Sequence, residues 1–151
     1  MFPRQHIIFG ALFTFAIWLV SPKISPLFLI LILLSSILID FDHYLCSVFK
    51  TKKLSLFSAF QHYENIREEE QLKRAKGIKE KSDFHIFHTI EFHILIGLLS
   101  FVWTGFFYIF IGMVFHSLLD VYALLNDKSL YLREYFFFNW LNKKSRFRRI
   151  K

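Results

Sequence analysis

Long apolar runs separated by sharply bounded polar stretches set out the elements of this chain before any single residue is considered. Ile7 to Val20 is apolar and reads as a first helix. Ser21-Pro22-Lys23-Ile24-Ser25-Pro26 follows, and two prolines in a short polar stretch favour a turn. Leu27 to Ile39 reads as a second apolar helix that ends at Asp40. From Lys50 to Asp83 the chain is polar, and the mixed Lys, Arg and Glu of Glu64–Lys81 predict a solvated amphipathic helix with i,i+4 charge pairs. Apolar sequence resumes at Phe84 and runs to Leu119, too long for one crossing of about 20 residues. Thr104-Gly105 lies near its middle, so two helices are expected, Phe84–Trp103 and Phe106–Tyr122, joined by a sharp turn. Ser129 to Leu141 sets Arg133 and Glu134 among aromatics and predicts an interfacial segment.

Composition turns these runs into a membrane reading. Hydrophobic residues make up 54% of the chain, above the usual globular share, and the mean hydropathy is +0.39. The expectation is an all-α integral membrane bundle of about four short transmembrane helices, with a cytoplasmic amphipathic helix and an interfacial C-terminal segment. At 151 residues there is room for one domain. Its core is expected over residues 4–122, with the interfacial segment and basic tail over 123–151. Arg4 ahead of the first apolar run imitates a secretory signal, but no small-x-small cleavage site follows, so a retained segment is expected. Cys46 is the single cysteine, which excludes an intramolecular disulfide and a cysteine-based zinc site.

Charge orients the bundle. Nine Lys and Arg lie in Lys50–Lys81 and six in the tail from Asn142, against Lys23 alone in the turn between the first two helices. The positive-inside rule then places N-terminus, polar stretch and tail in the cytoplasm, as an even number of crossings requires. The net charge of +7 is accounted for by anionic lipid, and no nucleic-acid partner is expected because no binding motif accompanies the basic residues.

In that topology the ionisable residues of the apolar helices collect on the cytoplasmic side. His6 begins the first helix, and Asp40, Asp42 and His43 close the second. His85, His88 and Glu91 open the third, and His116 and Asp120 end the fourth. Such groups are costly in lipid unless they pair, bind a cation or reach water. His116 and Asp120 are four apart and His88 and Glu91 three apart, so each pair shares a helix face. His93, about 140° round the helix from His88, is not expected to be a co-ligand. His62 and His85 read as solvent-exposed surface groups. The candidate metal ligands are His6, Asp40, Asp42, His43, His88, His116 and Asp120, with Glu91 or Asp42 as a general base. Imidazole mixed with carboxylate suits a divalent metal, Zn²⁺ first, with Mn²⁺ or Fe²⁺ as alternatives. A two-metal site that activates water is within reach of that ligand number.

These motifs resemble the membrane-bound metal-dependent hydrolase family, which includes bacterial inner-membrane proteins described as LexA-binding. The resemblance rests on His6, Asp40-Phe41-Asp42-His43, His85-Ile86-Phe87-His88-Thr89-Ile90-Glu91 and His116-Ser117-Leu118-Leu119-Asp120, and it spans about Arg4 to Tyr122. The chain departs from that pattern at Ile39, where many members have Pro. It also has Glu91 after a shortened histidine motif, so Glu91 stands as a replacement ligand. The family is distantly similar to zinc-dependent phospholipases C, which implies hydrolysis of a phosphoester, a lipid among the candidates, at the cytoplasmic face of the inner membrane. Membrane lipid is then the expected partner. The competing reading is a non-catalytic membrane protein whose polar residues specify helix packing. A transporter would need ionisable groups in the outer half-layer, where Lys23 stands alone.

Overall fold

The computed structural model describes the backbone of residues 3–149 and the side chains of residues 4–144. All regular structure among the described residues is helical: α1 Pro3–Val20, α2 Pro26–Leu38, α3 Phe41–Thr51, α4 Leu56–Ala75, α5 Ile90–Leu99, α6 Thr104–Asn126 and α7 Phe137–Arg149, with 3₁₀ turns at Ile86–His88 and Leu130–Leu132. Pro26 opens α2, where its missing N–H would have had no helical partner. Ser55 caps α4 and Thr89 caps α5, each side chain accepting a bond from the first turn. The chain divides into two compact units, Met1–Ile39 with Phe87–Leu130 and Asp40–Ile86 with Tyr131–Lys151.

In the first unit α2 packs along α6, flanked by α1 and α5. Ile39, Ile96 and Met113 form its buried centre, with Phe87, Phe92, Leu99, Phe106, Ile109 and Phe110 packed around them. Two glycines let the helices close. A Cβ on Gly112 would meet the backbone carbonyl of Ile32 and the Ser35 hydroxyl, and one on Gly10 would meet the Ser36 hydroxyl. Small residues at such crossings are what close helix contact demands. Phe13 stacks on Phe115 at 3.9 Å and Phe28 on Tyr108 at 4.4 Å, extending the same seams.

The second unit packs α3 against α4 and ties the chain before residue 86 to the C-terminal segment. Ser82 N–H donates to the Leu132 carbonyl at 2.8 Å, and Phe84 stacks on Trp140 at 4.2 Å. Glu134 is 8% exposed and pairs with Lys81 at 2.9 Å and with Lys143.

Among the described residues two stretches are long and apolar enough to cross a membrane, Pro26–Thr51 and Thr104–Asn126, with mean hydropathies of 1.8 and 1.7. Regular helix is interrupted inside the first at Ile39–Asp40, so α3 is a separate helix that the sequence reading did not foresee. α5 is shorter than the expected Phe84–Trp103, because Thr89 is extended and starts the helix late. Its 10 residues rise only about 15 Å. The expected turn near Thr104-Gly105 is present just upstream, where Val102 and Trp103 N–H both donate to the Leu99 carbonyl.

Candidate metal centre

Gly112 and Gly10 each lie one helical turn from a histidine, and the close crossings they allow bring His116 and His6 to the same place. His116 is fully buried, and its Nδ1 lies 2.8 Å from the Ser36 carbonyl oxygen. Ser36 is in the last turn of α2, whose carbonyls have no partner within the helix. A carbonyl only accepts, so His116 Nδ1 carries a proton and donates it. In the neutral ring Nε2 is then a lone pair. It faces His88 Nε2 at 3.4 Å and Asp120 Oδ2 at 3.3 Å.

His88 Nε2 lies 3.7 Å from Asp120 Oδ2, closing a triangle of ligand atoms. Two atoms each about 2.05 Å from one ion at the tetrahedral angle are separated by about 3.3 Å. The observed sides of 3.3, 3.4 and 3.7 Å could be spanned by one cation. His88, His116 and Asp120 are each at most 4% exposed. This buried group can hold a metal ion. His6 adjoins these residues: its Nε2 is 3.3 Å from Asp120 Oδ1, and its ring stacks on His116 at 3.9 Å. His6 Nδ1 is buried and has no hydrogen-bond partner among the described residues.

His93 shows the contrasting case. Its Nδ1 donates to the Thr89 carbonyl at 2.9 Å, and its Nε2 therefore accepts from the Ser117 hydroxyl at 2.9 Å. Its lone pair is used. Glu91 is half-buried in the first turn of α5 and does not join the triangle of ligand atoms.

The second unit holds its own group. Asp40 Oδ1 is 3.6 Å from His43 Nε2, and the His43 ring lies on the His85 ring with centroids 3.6 Å apart. His85 Nδ1 is in turn 3.8 Å from Asp42 Oδ1. His85 is 7% exposed, which corrects its reading as a surface histidine. His62 is half-buried rather than exposed. Tyr63 hydroxyl donates to the His43 carbonyl at 2.6 Å. Burial, then the negative charges nearby, push the Tyr63 hydroxyl well above its ordinary range, so it stays a neutral donor. The sequence signal for His85 was its place between the polar stretch and the next apolar run, which left burial undetermined.

Comparison with family models, with curated proteins and with solved structures finds no match for this chain.

Proposed function

We propose that this chain is a membrane-bound, metal-dependent hydrolase that acts on a phosphoester, a lipid included, at the cytoplasmic face of the membrane. The observation that carries the reading is the triangle of His88, His116 and Asp120 atoms, with the His116 lone pair fixed toward it by the Ser36 carbonyl. A metal-bound histidine ordinarily donates its other ring N–H to a carbonyl or carboxylate, as His116 does. Imidazole with carboxylate favours zinc, or manganese or iron. Such an ion, when bound, supplies Lewis acidity that activates water and polarises a phosphoryl oxygen.

The residues have distinct tasks in this reading. His88, His116 and Asp120 hold the ion, and His6 orients Asp120 through its other oxygen. Glu91, from the same unit, receives a proton. The membrane setting is a four-crossing bundle in which α1 and the α5 region join the two longer apolar stretches. Its termini and polar stretch face the cytoplasm, supported by the gathering of Lys and Arg there.

The test is turnover of bis(p-nitrophenyl) phosphate by detergent-purified protein supplied with Zn²⁺ or Mn²⁺. Metal-dependent turnover is expected, lost in His116→Ala. Glu91→Gln is expected to keep its metal while kcat falls about 100-fold, the usual scale for losing a general base. Absence of turnover with every metal and with phospholipid substrates would overturn the hydrolase assignment.

One observation favours a second reading. His6 and His116 both lie 3.3 Å from Asp120, a spacing that a protonated imidazole beside a carboxylate also satisfies. In that case the group would serve helix packing. Asp120→Asn would then leave fold and function largely intact.

A further inference from the structure

The polar stretch between the two longest apolar regions is not uniformly polar. α4 opens on exposed apolar residues: Leu56, Phe57 and Phe60 are exposed in its first turns, Glu64 and Glu68–Glu70 follow, and Leu72 is exposed near its other end. On a helix Phe60 falls about 40° from Leu56 and about 60° from Phe57, so the three share a face. Ala59 takes the buried side. Leu54 in the connection is 77% exposed, and Phe49, near the end of α3, is 72% exposed. The connection is held in place: Tyr44 hydroxyl donates to the Leu54 carbonyl at 2.7 Å. Lys52, in the left-handed region at φ 60°, and Lys53 are exposed within the same patch.

We propose that Phe49, Leu54, Leu56, Phe57 and Phe60 form a wedge that inserts into the anionic surface of the bilayer, with Lys52 and Lys53 on the lipid headgroups. Two observations choose this occupant. The patch follows directly, at Lys52, on Pro26–Thr51, a stretch long and apolar enough to cross a membrane, so the chain that carries it is tied to a candidate membrane segment. The cations inside the patch also complement anionic headgroups, and exposed apolar surface rimmed by lysine marks membrane contact. The inference rests on the membrane reading above and is independent of the hydrolase assignment.

The test places a nitroxide at Leu56→Cys in a full-length Cys46→Ala protein reconstituted in vesicles. Its collision rates with oxygen and with a water-soluble nickel chelate are compared. Glu68→Cys serves as the aqueous reference and Leu34→Cys, in α2, as the lipid reference. In phosphatidylcholine vesicles containing phosphatidylglycerol, the Leu56 label is expected to favour oxygen over nickel several-fold, as Leu34 does, and Glu68 to favour nickel. Removing phosphatidylglycerol, or replacing both lysines (Lys52→Gln, Lys53→Gln), is expected to lower the Leu56 ratio at least two-fold. A Leu56 label as open to nickel as Glu68, with Leu34 still in lipid, would overturn the wedge alone. So would a label shielded from both reagents, the signature of a second copy or another protein covering the patch. A Leu56 ratio indifferent to lipid charge would overturn the assignment to an anionic surface. A Leu34 label in water would overturn the membrane reading and the wedge together.

Discussion

At the scale of the residue, a proton's position decides what His116 can do. The Ser36 carbonyl takes the Nδ1 proton, so the other nitrogen presents its lone pair toward a carboxylate oxygen and a second imidazole. The spacing of His116 and Asp120 made their shared face legible in the sequence, because helical periodicity is local. The partner at Ser36 was not legible, since it depends on how two helices cross. Glu134 follows a different logic. Burial raises the pKa of its carboxyl, but hydrogen bonds from Lys143 and Lys81 outweigh this and hold it below the ordinary 4.5. A lowered folded-state pKa contributes stability that is present above the unfolded value and is lost as pH falls through the folded one. Hydrogen exchange across residues 137–144, corrected for intrinsic rate, is therefore expected to be slow at pH 7 and to quicken below about pH 4. Glu134→Gln should quicken it already at pH 7, by about 1–2 kcal/mol of local protection, since both lysines remain half in solvent. Unchanged protection in that variant would show that the pairs do not hold the segment.

At the scale of the element, hydropathy located the long helices and missed their internal breaks. α1, α2 and α6 lie where the apolar runs put them, because a lipid-scale run is apolar on every face and needs no periodicity to be seen. α3 was hidden because Phe41–Thr51 mixes apolar and polar positions at the foot of such a run. The late start of α5 had a readable signal in Thr89, a capping residue with Glu91 in the following turn. The glycines make the element scale testable. Gly112→Ala sets a methyl against the Ile32 carbonyl, which is backbone and cannot rotate aside. It is expected to cost about 1–3 kcal/mol in unfolding stability and to weaken zinc binding at least ten-fold by displacing His116. Gly97→Ala meets only the Phe110 ring at 3.5 Å, an ordinary contact. It should be neutral or stabilising by up to about 1 kcal/mol, the usual helix-propensity gain. Titration of both variants with Zn²⁺ checks the contrast, and equal affinities would show that the α2–α6 crossing does not set the site.

At the scale of the whole molecule, the sequence foretold an all-helical chain, stretches long and apolar enough to cross a membrane, and ionisable residues in clusters. It could not say how they would be divided, because that depends on tertiary packing with no local signature. His6, His88, His116 and Asp120 belong to one compact unit, and Asp40, Asp42, His43 and His85 to the other. Asp120 is buried among three imidazoles in the first unit. A bound cation would therefore stabilise the fold by mass action. Removing it with a chelator is expected to lower Tm by several degrees and to restore it on adding Zn²⁺, while Tm of Asp120→Ala should not respond to either.

The most direct measurement is the metal content of detergent-purified protein by inductively coupled plasma mass spectrometry, for the wild type, His88→Ala, His116→Ala, Asp120→Ala and His93→Ala. The wild type and His93→Ala should carry stoichiometric divalent metal, and the other three should each lose at least nine-tenths of what the first unit holds. Equal metal in all five, or none in any after growth and dialysis with zinc, would contradict a metal centre built on His88, His116 and Asp120.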